Sequence, residues 1–245
     1  MRALVVTHTV SEGPGTLAEW FPAAGLELDV VEPWNGGVLP DRVTEHDALI
    51  VMGGPQQAYD DDSAPWLRQT KGLLRRAVAD GLPVLGICLG GQLLAEAMGG
   101  RVRAGVNGPE LGARLVSKRD AAVDDAVFSD IPLSPVVIQW HWDEISELPP
   151  GALLLASSPR YPHQAFRVGS KAYGLQFHIE TPPDMVLGWA AADADGVRAA
   201  GLDPERLGHD AVDVLAEIEE VWRPFIARFA ALVRGETRTY LPVVG

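Results

Sequence analysis

The sequence predicts an α/β fold in which a mostly parallel β-sheet, covered by helices on both faces and extended by antiparallel strands, forms a single domain. In the first half of the chain, short apolar runs rich in β-branched residues alternate with helical patterns, which is typical of parallel strands buried on both faces. After Arg101 the candidate strands follow one another with few helices between them, as in hairpins or an antiparallel extension of the same sheet. The last third is helical.

The first half of the chain contains four candidate strands, at residues 3–7, 27–31, 48–52 and 83–87. One helix begins near Thr16. A second begins at Pro65, because proline fits the first helical turn, and it ends at Asp80 before a glycine. A third follows the fourth strand and runs to Met98, where two glycines close it. This alternation predicts parallel neighbours in the sheet, since parallel strands need crossover connections.

The second half contains five candidate strands, at residues 113–117, 136–139, 153–157, 165–168 and 172–177. Helices are predicted for residues 183–192 and for a long segment from about 211 to 234, in which Pro224 is expected to kink or restart the helix. Because no internal repeat and no proline- and serine-rich linker divides the chain, residues 1–245 are predicted to form one domain.

Composition and charge argue against several classes of protein. The chain has 245 residues, 47% of them hydrophobic, which is enough to bury a core. Its net charge of −13 and the lack of a basic run argue against nucleic-acid binding. The longest uncharged stretch, residues 81–95, is broken by Pro83 and is shorter than the roughly twenty residues that span a bilayer. Because the N terminus reads as a strand rather than a signal peptide, we expect a cytoplasmic protein without membrane association.

The single cysteine, Cys88, excludes an intrachain disulfide, and no Cys-x-x-Cys or His–Cys cluster offers a zinc site. It lies in the segment GICLG, between a predicted strand and a predicted helix, which is the Gly-x-nucleophile-x-Gly pattern. Such a turn holds the thiol above the carboxyl end of the sheet, where the helix N terminus favours the thiolate. An isolated cysteine is often a buried structural residue, but the order of strand, glycines and helix favours a nucleophile.

Two histidines are candidates for the base that a cysteine nucleophile needs. His178 follows the strand at 172–177, and Glu180 stands two residues on, at the same side of an extended segment, so that its carboxylate can hold the imidazole. His141 lies between two tryptophans, and Asp143 could orient it, but its segment has no definite predicted structure. The other four histidines stand in positions more typical of structural or solvated side chains: His8, His46, His163 and His209. The pair His178 and Glu180 is therefore favoured.

These segments together resemble one family, the class I, triad-type glutamine amidotransferases. Residues 86–94 (GICLGGQLL) and 174–180 (GLQFHIE) are similar to the two signature segments of the family, and residues 51–55 (VMGGP) look like its oxyanion strand. Further segments, beginning at Trp140, Pro149 and Tyr161, are similar to free-standing members, which are described as similar to the glutaminase domain of GMP synthase. The resemblance covers nearly the whole chain and implies a flavodoxin-like, doubly wound sheet.

The resemblance also implies a Cys–His–Glu triad that acts on a small-molecule γ-glutamyl substrate. By this similarity Cys88 would attack the side-chain amide carbonyl, His178 would relay protons to the departing nitrogen, and Glu180 would orient His178. Water would then hydrolyse a γ-glutamyl thioester, and neither a metal nor another cofactor is implied.

The same resemblance implies roles for four residues around the triad. The backbone N–H groups of Gly54 and Leu89 would hold the oxyanion, while Gly53 and Gln92 would contact the substrate. From the residues alone, the two glycines at 53 and 54 indicate only a turn that lets backbone approach a ligand closely.

Two positions depart from the pattern of the family. Relatives that are linked to a synthase often have His where this chain has Gly91, and free-standing relatives usually have Gly where it has Trp142. The latter change is expected to narrow the mouth of the site. Glu110 matches a segment common in the free-standing group, but its role is open.

Three functions stay open at this point. The favoured one is hydrolysis of a γ-glutamyl amide, either glutamine or a γ-glutamyl peptide or amine, with release of ammonia or an amine. The second is a glutaminase subunit for a separate synthase, because the chain has no phosphate-binding loop with which to activate an acceptor. The third is a non-catalytic regulatory module on the same fold. A homodimer is compatible with the apolar C-terminal helix, which is also typical of ordinary core.

Overall fold

Strands and helices alternate along residues 1–236, the part of the chain that this computed structural model describes. The strands are β1 (Arg2–Val6), β2 (Glu27–Val31), β3 (Ala48–Val51), β4 (Val84–Ile87), β5 (Arg101–Ala104), β6 (Glu110–Leu115), β7 (Ser117–Lys118), β8 (Val136–His141), β9 (Asp143–Glu147), β10 (Leu153–Ser157), β11 (Ala165–Val168) and β12 (Ala172–Leu175). The helices are α1 (Leu17–Ala23), α2 (Pro65–Ala79), α3 (Leu89–Ala97), α4 (Pro183–Ala192), α5 (Ala194–Ala199), α6 (Pro204–Val212) and α7 (Leu215–Val233).

The central sheet has the strand order β2-β1-β3-β4-β12-β11-β10-β7. The first five strands run parallel to one another, and β11, β10 and β7 are added antiparallel at one side. The order of the parallel part is that of the flavodoxin-like doubly wound sheet. The predicted mostly parallel α/β sheet with an antiparallel extension is therefore confirmed.

Helices cover both faces of the inner parallel strands, which explains why β3 and β4 are apolar throughout and β1 is apolar after Arg2. Along β1, Ala3 and Val5 pack into the cluster that contains α1 and α7, while Leu4 and Val6 pack into the cluster that contains α2 and α3. Successive side chains of a strand point to opposite faces, so a strand covered on both sides has no polar position. All of these positions are buried.

Two short antiparallel pairs, β5 with β9 and β6 with β8, lie outside the central sheet. The sequence did not predict β5 and β9, because both are rich in charged residues and three of the four β5 side chains are exposed. Their strands are defined by pairing with each other across about forty residues of chain, which no local pattern reports. The strand predicted for residues 113–117 is divided in the structure between the end of β6 and β7.

The prediction of one long helix from about residue 211 to 234 is wrong at the start of that helix. The chain forms α6 up to Val212 and begins α7 only at Leu215. The two helices pack against different partners, α6 against α4 and β6, and α7 against α1 and β8, so the chain must turn between them. Pro224 does not restart α7, which continues through it. None of the helices within residues 1–236 is long and apolar enough to cross a membrane.

The predicted domain extends to residue 245, but residues 237–245 lie outside the described part of the chain. The described part holds the eight-stranded central sheet and the helices that cover it.

Candidate active site

The turn between β4 and α3 holds Cys88 in a strained conformation, with φ 50° and ψ −108°. Within residues 1–236 it is the only residue other than glycine with positive φ. Two flanking glycines are sterically required, because a Cβ on Gly86 would collide with the Gly90 carbonyl and a Cβ on Gly90 with the Val51 carbonyl. Backbone strain of this kind costs about 1–3 kcal/mol and persists where surrounding structure enforces it. The predicted nucleophile-type turn is present.

The packing around Gly91 explains why this chain has glycine where synthase-linked relatives often have histidine. A Cβ at Gly91 would collide with the carbonyl oxygen of Leu175, at the end of the neighbouring strand β12. A histidine at this position would therefore require β12 to move away from α3.

The structure brings Cys88, His178 and Glu180 together as the sequence predicts. His178 Nδ1 is 2.7 Å from Glu180 Oε1, and the imidazole lines the same cleft as the Cys88 thiol. The second carboxylate oxygen, Oε2, accepts from the backbone N–H of Ile179 at 2.9 Å. Backbone bonds in both directions join His178 to Ile138 of β8. The imidazole is thus fixed from two sides, by a carboxylate and by its own backbone.

The electrostatics of this group favour a charged imidazole. Burial on its own would lower the pKa of His178, but the negative charges of Glu180 and Cys88 outweigh it and raise that pKa well above its ordinary value. An imidazolium beside sulfur stabilises thiolate. Cys88 also stands at the N-terminal end of α3, where free N–H groups and the helix dipole favour negative charge.

The two residues that are predicted to supply the oxyanion donors, Gly54 and Leu89, are in contact. A Cβ on Gly54 would stand 2.9 Å from Leu89 Cδ2, so the segment after β3 and the start of α3 are in contact. Leu89 is the first residue of α3, where the backbone N–H has no partner within the helix. Gly53 lies beside the imidazole, because a Cβ there would stand 3.1 Å from His178 Cε1.

Gln92 belongs to a short chain of amides that leads to the sulfur. Its side-chain Nε2 donates to Gln176 Oε1 at 3.2 Å, and Gln176 Nε2 stands 3.9 Å from Cys88 Sγ. Gln176 was not singled out from the sequence, although it lies in the signature segment two residues before His178. The carbonyl of Trp140 stands 3.9 Å from the sulfur on another side.

His141 lies in the wall of the site, but both of its ring nitrogens are engaged elsewhere. Nδ1 is 2.7 Å from the carbonyl oxygen of Asp143, and Nε2 is 3.2 Å from Glu110 Oε2. Glu110 also accepts from Ser158 at 2.7 Å and from Gln164 at 2.7 Å. Burial alone would raise the pKa of Glu110, but hydrogen bonds from His141 and Ser158 lower it below its ordinary value. Glu110 is therefore a buried anion that holds the β8–β9 turn.

Replacing Glu110 by Ala should lower the free energy of unfolding by about 3 kcal/mol, because buried donors on His141, Ser158 and Gln164 lose their acceptor. Urea denaturation measures this loss. The matched control is Glu147→Ala, at an exposed carboxylate paired with Arg101, which should cost less than about 0.5 kcal/mol. Equal losses in the two variants would contradict the role assigned to Glu110.

A cleft of about 600 Å³ opens above the sulfur, within the roughly 300–1,000 Å³ of small-molecule sites. Four of the predicted site residues line it: Gly54, Cys88, Gln92 and His178. The other three are not among the residues that line it: Gly53, Leu89 and Glu180. Trp142, which is 43% exposed, stands at the rim and donates its indole N–H to Asp193 at 3.1 Å. That Trp142 narrows the mouth stays a prediction.

Glu12 is a cleft residue that the sequence patterns did not reveal. It lies in the loop after β1, and a Cβ on Gly53 would collide with its Oε2 while standing 3.1 Å from His178 Cε1. Burial raises the pKa of Glu12 to about 7. The charge of His178 acts to lower this pKa, and the charge of Glu180 acts to raise it. The predicted topology could have pointed to Glu12, because the loops after β1 and β3 meet at the switch point of a doubly wound sheet, where ligands bind.

Fold and site together define an α/β protein with a cysteine on a strained strand-to-helix turn and a histidine–carboxylate pair beside it. Residues 18–184 match the family model described as "Glutamine amidotransferase class-I". The chain therefore belongs to the class I glutamine amidotransferase family.

The chain is similar to several curated proteins. It is 30% identical over 207 residues to the glutamine amidotransferase-like protein YfeJ of Salmonella typhimurium. The aligned residues make up 81% of this chain and 86% of that protein. It is 32% identical over 163 residues to gamma-glutamyl peptidase 5 of Arabidopsis thaliana, covering 65% and 64%. The GMP synthase of Chlorobium phaeobacteroides is 30% identical over 228 residues, or 88% of this chain but only 42% of the synthase.

Solved structures confirm the fold. A glutamine amidotransferase from Thermotoga maritima superposes with a TM-score of 0.84 at 30% identity, covering 94% of this chain and 98% of that one. A glutamine amidotransferase from Methylobacillus flagellatus gives a TM-score of 0.81 at 26% identity, covering 100% and 98%.

Proposed function

We propose that this protein hydrolyses a γ-glutamyl amide through a γ-glutamyl thioester on Cys88. The observation that supports this most strongly is the arrangement around the sulfur. A cysteine in a strained turn at a helix N terminus shares a cleft with His178, which Glu180 holds at 2.7 Å. This is the relation of nucleophile, base and orienting group that acyl transfer requires.

In the first half-reaction, Cys88 Sγ attacks the γ-carbonyl carbon and the carbonyl π electrons move to oxygen. The N–H groups of Gly54 and Leu89 stabilise the resulting oxyanion. As it collapses, the C–N bond breaks and His178 gives its proton to the departing nitrogen. The products are a free amine, or ammonia, and a thioester.

In the second half-reaction, water attacks the thioester carbon while His178 takes a proton from it. The C–S bond breaks, glutamate leaves and the Cys88–His178 pair returns to its starting state. Throughout the cycle Glu180 holds the imidazole in one tautomer and orientation. Gln92 and Gln176 act on the glutamyl part, beside the sulfur.

The thioester is directly testable by mass spectrometry, because Cys88 is the only cysteine. Purified protein is mixed with glutamine, a γ-glutamyl dipeptide or a γ-glutamyl alkylamide, quenched in acid and digested. We expect free glutamate, and one γ-glutamyl group on the peptide that contains Cys88. Glutamate formation without this adduct, and undiminished in Cys88→Ala, would contradict the proposal.

A second candidate is a glutaminase subunit that supplies ammonia to a separate synthase. The similarity to 42% of a GMP synthase favours it, since the remainder of that protein has no counterpart in this chain. An isolated chain that cleaves none of the three substrates, but hydrolyses glutamine when a synthase is added, would decide for this candidate. The cleft favours direct hydrolysis, because about 600 Å³ leaves room for an amine larger than ammonia.

A further inference from the structure

Apart from the His178 imidazole, the charged side chains around the cleft are carboxylates. Four carboxylate residues line it, and they come from four separate segments of the chain: Glu12, Asp60, Asp143 and Asp193. Among the described residues that line the cleft there is no lysine or arginine. A concave surface with one sign of charge concentrates ligands of the opposite sign.

Glu12 lies beside the His178 imidazole. Its Oε2 and His178 Cε1 both approach the same point beside Gly53, and in the proposed mechanism His178 protonates the departing nitrogen. Within residues 1–236 no hydrogen-bond donor acts on the Glu12 carboxylate, while burial raises its pKa to about 7. A carboxylate that is desolvated and lacks a donor gains most from a cation.

Three tryptophan side chains also line the cleft and form one wall of it together with the carboxylates: Trp140, Trp142 and Trp189. The Trp140 and Trp189 ring centroids are 5.9 Å apart, and Trp189 lies 4.6 Å from the His178 ring. Trp189 is 7% exposed, and its indole N–H has no hydrogen-bond partner within residues 1–236. Trp142 at the rim holds Asp193 at 3.1 Å. Aromatic faces combined with carboxylates are the chemistry that binds organic ammonium groups.

The carboxylates are spread around the cleft rather than gathered at a point. Within residues 1–236, no three His, Cys, Asp or Glu side chains converge as metal ligands would. Distributed negative charge fits an extended organic cation better than a single ion, because each carboxylate can act on a different part of the ligand.

From this arrangement we infer that the leaving amine of the substrate carries a positive charge of its own, as in a γ-glutamyl derivative of an aliphatic diamine. Glu12 and Asp193 are the specificity-determining residues, at the inner and outer ends of the wall. The inference rests on the proposed function. The bond that breaks is the γ-amide C–N bond, and the products are glutamate and the diamine.

The test uses three amides with the same glutamyl part and a four-carbon amine part: γ-glutamyl-1,4-diaminobutane, γ-glutamyl-n-butylamine and γ-glutamyl-4-aminobutyrate. They present a cation, a neutral chain end and an anion. We expect kcat/KM to fall in that order, by roughly a hundredfold from the cation to the anion. A preference for the neutral or the anionic amide would overturn the inference.

Neutral substitutions of the cleft carboxylates show which residues cause the preference for the cationic amide. Glu12→Gln and Asp193→Asn should each reduce the ratio of kcat/KM for the cationic and neutral amides by about tenfold, because the glutamyl part is common to both. The control is Asp195→Asn, a fully exposed carboxylate two residues from Asp193 and outside the cleft, which should leave the ratio unchanged. Ratios that respond to neither cleft variant would overturn the assignment.

Failure of the inference and failure of the proposed function give different results. Equal cleavage of the three amides, or cleavage of glutamine alone, with a γ-glutamyl adduct on Cys88, rejects the cationic leaving group and keeps the thioester chemistry. Absence of both turnover and adduct with every substrate rejects both.

Discussion

Replacing Cys88 by Ala should reduce kcat for the preferred γ-glutamyl substrate by at least about 10⁴-fold, because the variant has no group with which to form the thioester. Removal of the nucleophile of a catalytic triad costs on the order of 10⁶ in kcat. The residual rate would come from the oxyanion donors and binding alone. Glutamate release under saturating substrate measures the effect.

Two substitutions of Cys88 separate the loss of catalysis from the effect of backbone strain on stability. Cys88→Gly should be as inactive as Cys88→Ala, yet more stable than it by about 1–2 kcal/mol. Glycine adopts φ 50°, ψ −108° without the clash that alanine retains. Urea denaturation of the two variants gives the difference. An alanine variant that equals or exceeds the glycine variant in stability would show that the turn stores no strain.

The parts of the site that the sequence predicts are those that depend on local geometry. Cys88 is positioned by its own strand, turn and helix, and the Cys88 turn needs only the glycines beside it. His178 and Glu180 are two residues apart, so a short stretch of chain that bends at Ile179 brings them together. β12 ends earlier than predicted, at Leu175, but the contact survives because β8 holds the backbone of His178 through Ile138.

The parts that the sequence does not predict depend on contacts between distant segments. Glu12 reaches the imidazole only because β1 and β3 are neighbours in the sheet, and Trp189 of α4 lies there against Trp140 of β8. The role of His141 was open for the same reason, since its partner Glu110 is thirty-one residues away. β5 and β9 follow this rule too, because each is a strand only through pairing with the other.

Glu180→Gln should reduce kcat by about 10³–10⁴-fold while Cys88 stays in place, since an analogous carboxylate-to-amide change in a serine triad costs about 10⁴ through the wrong tautomer. Both oxygens of Glu180 accept hydrogen bonds, from His178 Nδ1 and from the Ile179 N–H. A glutamine offers one oxygen, so its NH₂ group must face one of these partners. Facing Nδ1, it would move the imidazole proton to Nε2 and remove the base from the sulfur.

This variant should also change the pH dependence of kcat in a definite direction. The charge of Glu180 helps to raise the pKa of His178 well above its ordinary value, so the imidazolium, which protonates the leaving nitrogen in the proposed mechanism, persists to higher pH. Without that charge the imidazolium loses its proton earlier, and the basic limb of the profile moves to lower pH. Glu19→Gln, at an exposed carboxylate on α1, is the control and should leave both rate and profile unchanged. A Glu180→Gln profile that coincides with that of the wild type would mean that Glu180 holds His178 by geometry alone, whereas a shifted basic limb with reduced kcat requires its charge.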